Sequence, residues 1–380
     1  MTTHATTDAV RRTGQAGAPL GRYGHVAAEP RAARVPRSRA AITAVALVVL
    51  LVVAVVASML LGQFSMSPAE VAGSFARRVG ALLGGAPDAS AARTDGALWN
   101  VRLPRIAAAL VVGAALATAG AITQGLFGNP LAEPGVIGIT SGAAVGAATA
   151  IIASSAAVVA WTVPAAAFAS GILTTLLVLA LSSRLGGSAT LVLVLVGIAV
   201  NAVAGAASAL MIFLAETTSR EAIVFWQMGS LNGTTWAGLA PAAVVVALGL
   251  LVAQPLAHGL DALALGETDA RRSGLDLRAF RAVAVLCAAL LAAGAVAIGG
   301  IIGFVGLIVP HVLRLVVGPR QRVVLPLSAA AGALLLVGAD LGARTLVPFV
   351  DLPIGVLTAV VGGPLFLVLV RARLRTAVPA

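Results

Sequence analysis

Lysine is missing from this chain altogether: all 25 basic residues are arginine. A phosphate loop of the Walker A kind needs a lysine beside its glycines, so the chain holds none. Schiff-base chemistry on a lysine is excluded as well. Cysteine occurs once, as Cys287, which rules out a disulfide within the chain. Its apolar neighbourhood makes the thiol inert. The four histidines, His4, His25, His258 and His311, show no metal-ligand spacing, so no metal site is expected. Charge is scarce too, at 10% of residues against about 25% in ordinary soluble proteins.

What is present is apolar. Hydrophobic residues make up 59% of the 380. The composition reads as an integral membrane protein with many spans. The net charge of +11 does not indicate nucleic acid, because the arginines sit in short segments between apolar runs and not on one folded face.

Residues 1–40 form a basic arm, with seven arginines against Asp8 and Glu29, of the composition of a disordered segment. Ten apolar segments follow, at 41–62, 104–124, 136–153, 161–183, 189–214, 237–256, 280–300, 303–317, 323–346 and 354–370. They predict an all-α integral membrane fold of about ten transmembrane helices, a single domain over 41–375. The segment 303–317 is shorter than the roughly 20 residues of a full crossing. Ten crossings put both termini on one side. That side carries 18 arginines and the other 7, so the positive-inside rule places both termini in the cytoplasm.

Two connections are long. Residues 63–103 lie outside and contain Pro68 and Pro87. Residues 257–279 lie inside, and their sequence HGLDALALGETDARRSGLDLRAF is amphipathic and mixed in charge. Composition alone leaves this inner segment open between a solvated loop and a docking surface for a cytoplasmic protein.

Polar groups inside the spans are few. Asp340 and Arg344, four apart on one helix, are expected to form a structural ion pair near the outer end of their span. Asn201 is expected either to bond a neighbouring helix or to line a pathway. Gly138, Gly142 and Gly146 form a doubled small-xxx-small pattern for close helix packing. Ser141 and His311 could be read as a protease pair, but no supporting constellation accompanies them, and no catalytic residue is assigned. The stretch GGIIGFVGLIVPHVLRLVVG, Gly299 to Gly318, has glycines at every third position but no lysine after them. It is expected to make a tight re-entry of the chain near the outer face, with His311 structural and Arg314 reaching the inner interface near Gly318. No ladder of buried carboxylates of the kind ion-coupled carriers use is present, although such a secondary transporter remains the main rival class.

The motifs then become recognisable. RLPR at 102–105, the run GAALATAGAITQGLFGNPLAEPGVIGITSGAAVGA, VGIAVN at 196–201, WQMGSLNG at 226–233, LALGETDARRSGL at 263–275, GFVGLIVPHVLRL at 303–315, ADLGAR at 339–344 and LPIGVLTAVVGGPLFL at 352–367 resemble, in order and at family spacing, the FecCD-type permeases. The resemblance covers the chain from about residue 100 to its end. It implies the membrane subunit of an ABC importer for iron-siderophores, heme or cobalamin in a bacterial inner membrane, with siderophore first. It implies two permease subunits, identical or related, around one pathway, two cytoplasmic ATPase subunits that bind ATP and magnesium in place of this chain, and an external binding protein. By the same resemblance, Arg102, Arg105 and Arg344 present charge to glutamates on the binding protein. Leu265, Gly266 and Glu267, with Arg271 beside them, enter a cleft on the ATPase. Ser188 and Thr190, in the turn after the fourth span, and Asn201 are pathway or gate candidates. Alternating access without covalent chemistry is the mechanism the resemblance implies.

Overall fold

A 36-residue helix, Ala92–Phe127, organises the molecule. In this computed structural model, residues 37–84, 88–153, 159–185 and 189–377 are described. The basic arm up to residue 36 lies outside them. The elements are α1 (Arg37–Leu60), α2 (Pro68–Leu82), α3 (Ala92–Gly96), α4 (Leu103–Phe127), α5 (Ile139–Ala153), α6 (Val159–Arg184) and α7 (Ala189–Leu214). They continue with α8 (Thr217–Gln227), α9 (Trp236–Leu263), α10 (Glu267–Arg272), α11 (Leu277–Gly299), α12 (Val305–Val317), α13 (Gln321–Ala343) and α14 (Ile354–Ala377). A π-helical turn, Ala97–Arg102, joins α3 to α4 without a break.

Among the described residues, seven helices are long and apolar enough to cross a membrane, and α5, α12 and the apolar part of α14 are shorter. These ten match the ten expected segments. The first span begins at Arg37, four residues before its expected start. The connection 63–103, expected as an outer loop, contains α2 and the first turns of the long helix instead.

The long helix is central because its α4 portion is made of small residues. Alanines 108, 109, 115, 117, 119 and 121 are all fully buried, and α13, α11, α12 and α9 pack around them. Lipid offers no hydrophobic drive for helices to associate, so close backbone approach between small side chains has to supply it. Gly142 and Gly146 show this directly: α5 lies so close to Thr174, Ser170 and Ala166 of α6 that neither has room for a Cβ. The expected packing pattern is the one observed. By contrast, α1 presents bare valines, Val45, Val48, Val52 and Val53 among them, along an exposed flank.

The glycine-rich re-entry is present between α11 and α12. Gly300, at φ 67°, ends α11, and Phe304, also left-handed at φ 68°, starts α12. Gly299 packs near Val112 and Gly306 against Leu116 and Gly120, around the middle of α4. The irregular backbone packs against Trp226, Gly229 and the start of α14 at Gly355, beside the Asn232 that lines the arginine-end pocket, and runs from there into the bundle. Non-helical chain is tolerated at that depth only where protein surrounds it.

Candidate functional sites at the two ends of the bundle

At one end of the bundle, five charged groups from separate parts of the chain converge. Asp340 near the end of α13 accepts from Arg105 Nε at 2.7 Å on one oxygen and faces Arg344 Nε at 3.4 Å with the other. The expected Asp340–Arg344 pair is there, but its shorter contact is to Arg105, 235 residues away. Arg105 also donates to Asp351 at 3.2 Å. Arg344 donates to the Ser58 carbonyl at 2.7 Å and to the Ser58 hydroxyl. Arg102 donates to the carbonyls of Met59 and Phe64, and to that of Leu60 at 3.3 Å. The π turn 97–102 directs Arg102 toward these carbonyls, and Pro104, inside the continuous helix, withholds an N–H from that turn, where the Trp99 carbonyl accepts from the Trp236 indole instead.

All three arginines are buried. They tie the end of α1 to α4 and α13 and also line a pocket of about 190 Å³ with Gln63, Phe64, Asn232 and Asp351. Three guanidinium groups meet two carboxylates here. Among the described residues, Arg102 bonds only carbonyl oxygens, so its charge has no acidic partner. The sequence pointed to four members of this cluster, Asp340 and Arg344 by their spacing and Arg102 and Arg105 by the family resemblance. Asp351 and Ser58 were missed, because nothing local marks them.

The middle of the bundle explains the buried polar groups of the spans. Pro310 has no N–H, so the Gly306 carbonyl lacks its helical partner. Gln124 of α4 donates to that carbonyl at 3.2 Å and to the Leu307 carbonyl at 2.9 Å. Arg314 donates to the Gln124 side-chain oxygen and to the Ala121 carbonyl at 3.2 Å. It thus turns onto the last turns of α4. Glu133, in the turn after α4, turns its carboxylate toward the Phe304 backbone at the start of α12. His311 is buried. Asn201 donates to the Gly135 carbonyl at 3.0 Å and accepts from the Ser141 hydroxyl at 2.5 Å. It ties α7 to α5 and to the turn before it, and it engages the hydroxyl of the conceivable protease pair. Thr190 is half-buried in the first turn of α7, and Ser188 lies outside the described residues.

At the opposite end, α9 leads into α10 through Leu265 and Gly266. Leu265 is 77% exposed, and Gly266 has φ 115°. Glu267 pairs with Arg281 and lies 4.0 Å from Arg271. Acids in the first turn and arginines in the last complement the α10 dipole. Asp261 of α9 accepts from the Gln321 N–H at 2.7 Å and so caps α13 from another helix, since Arg320 offers no side-chain cap. Among the described residues, no group of three His, Cys, Asp or Glu side chains could hold a metal ion.

Comparisons with known proteins agree with this architecture. The model of the FecCD transport family matches residues 50–372. The chain is 42% identical over 276 residues to the cobalamin import system permease BtuC of Halobacterium salinarum, covering 72% of this chain and 73% of that one. It is 41% identical to the vitamin B12 import system permease BtuC of Vibrio cholerae, covering 71% and 81%. It is 38% identical to the hemin transport system permease HmuU of Yersinia pestis, covering 73% and 85%. A solved structure described as an inward-facing conformation of a metal-chelate type ABC transporter superposes with a TM-score of 0.74 at 34% identity, covering 87% of this chain and 99% of that one. With ten apolar helices in a membrane bundle, polar clusters at both ends and a family match over most of its length, this chain is a multi-pass permease subunit of an ABC importer and belongs to the FecCD transport family.

Proposed function

We propose that the chain passes a bulky metal chelate inward by alternating access, between a binding protein docked at the arginine end and an ATPase docked at the α9–α10 end. The observation that carries this reading is the Arg102 charge, which lines a pocket at the bundle end without an acidic partner. A glutamate on a binding-protein lobe has the charge and reach to complete the cluster, and arginine forks carboxylates in a fixed geometry. At the other end, exposed Leu265 with Glu267 and Arg271 offers an apolar tip ringed by charge, suited to a cleft on a partner. In this orientation the arginine end is external and both termini are cytoplasmic.

For the cargo, a corrinoid stands first, because two of the similar permeases are named for cobalamin or vitamin B12. Heme and the iron-siderophore complexes implied by the sequence motifs follow it. The test is uptake by the chain reconstituted with its ATPase and binding protein, offered cobalamin, hemin and a ferric siderophore in competition. ATP-dependent cobalamin uptake resistant to the other two supports the assignment. Uptake of either competitor in preference reassigns the cargo. Uptake that needs no ATP and collapses with an uncoupler overturns the importer mechanism.

A further inference from the structure

The helix α2 is amphipathic in the opposite sense to a helix surrounded by water. Its polar side faces the protein. Arg77 donates to both carboxylate oxygens of Asp95, at 3.0 and 2.7 Å, and Ser74 accepts from the Trp99 indole at 3.1 Å. The Arg78 guanidinium lies 5.3 Å over the Trp99 ring. The side facing away is apolar. Phe75, Val79 and Leu82, with Leu83 just past the helix end, recur at i, i+4, i+7 and i+8 and form one stripe, at whose edge Phe75 also packs edge-on against Trp99 with ring centroids 5.0 Å apart. Val79 is 56% exposed, Leu82 81% and Leu83 83%.

Two observations say what covers this stripe. First, α2 begins eight residues after α1 ends at Leu60, and α1 is an apolar span with an exposed valine flank. The stripe therefore lies close in the chain to the outer end of a membrane span. Second, indoles mark the same level. Trp236 donates to the Trp99 carbonyl at 2.8 Å and is itself about half exposed. Tryptophans gather where a bilayer meets water, and arginines beside them reach lipid phosphates. Arg78 and Arg93 are exposed at this end, next to Trp99 and Phe64.

We propose that α2 is an interfacial anchor, with Phe75, Val79, Leu82 and Leu83 set among the phospholipids of the leaflet at the arginine end. Such a helix lies in the interface plane with its apolar face turned into the acyl boundary. It also fixes the height of Trp99 and, through the helix that follows, of Arg102.

The test places a nitroxide at Leu82→Cys and, separately, at Leu83→Cys, in the assembled transporter in phospholipid nanodiscs. Buried Cys287 is replaced by alanine. Collision with oxygen reports lipid, and collision with a water-soluble nickel chelate reports solvent. Val53→Cys on α1 is the lipid reference and exposed Ser90→Cys the water reference. The oxygen-to-nickel ratio at both α2 positions is expected to match Val53 and to exceed Ser90 severalfold. A ratio equal to that at Ser90 overturns the proposal. So does shielding from both reagents, whether present in the permease alone, which means a second copy covers the stripe, or only after binding protein is added, which makes the stripe its platform. Val79→Cys repeats the reading if either leucine variant fails to assemble.

Discussion

Asp340 carries more of the arginine cluster than its sequence position suggests. It faces two buried guanidinium groups, while Asp351 faces one from a more open position. Asp340→Asn leaves both arginines without their shared carboxylate and is expected to cost about 3–5 kcal/mol, as for other broken buried pairs. Asp351→Asn is expected to cost about 1 kcal/mol, nearer to an exposed pair. Thermal unfolding of the purified chain in detergent checks the order, and equal losses would contradict it. Arg102→Gln keeps a donor for the carbonyls but removes the charge. If a carboxylate of the binding protein completes the cluster, affinity for that protein falls about tenfold to a hundredfold, the worth of a hydrogen bond to a charged group. Unchanged affinity with normal unfolding would limit Arg102 to clasping α1. Three arginines were legible in the sequence because a dense motif surrounds them. Their burial was not, because it depends on the α1 carbonyls that they meet.

At the scale of elements, the short and broken helices are completed by side chains from other helices. Asp261 caps α13, Glu133 meets the start of α12, and Gln124 takes up the carbonyl that Pro310 releases. Asp261→Ala is expected to remove about 1 kcal/mol and Asp261→Asn far less, since asparagine caps as well as aspartate. Hydrogen exchange in the first turn of α13 reads the difference. Gln124→Leu strands a buried carbonyl and is expected to cost about 1–3 kcal/mol. In the Pro310→Ala background a backbone N–H returns to that carbonyl, so the same Gln124→Leu change costs less. A double-mutant cycle without such coupling would mean that Gln124 serves Arg314 alone. The apolar periods located these helices within a few residues. The caps escaped, because each joins residues between 60 and about 180 positions apart, and no local pattern records such pairs.

At the scale of the whole molecule, the bundle joins two polar ends through α4, α9 and α13, which pack together and run between them. If an ATPase closes on Leu265 and α10 as proposed, that closure has a direct route along α9, and through the Asp261 cap along α13, to Asp340 and Arg344. This predicts that Leu265→Asp, a change on an exposed tip, leaves folding intact but uncouples uptake from ATP hydrolysis. Reconstituted transport measured beside ATPase activity checks it, and uptake at the wild-type rate would refute the coupling role.

Composition by itself determined the solvent. A chain so apolar and so poor in charge is stable only in a bilayer, and ten apolar periods follow from the need to satisfy every backbone group within a helix. The absence of lysine excluded a Walker A loop for the same elementary reason, since no other residue supplies that ammonium. Tertiary structure alone decided what the rare polar groups do. Burial in low dielectric obliges each to find a partner, and the partner is set by which helices touch. Only the folded chain could therefore show Arg105 on Asp340, Arg314 turned onto α4, the re-entry packed against the start of α14, and a helix after the first span with its apolar side facing outward.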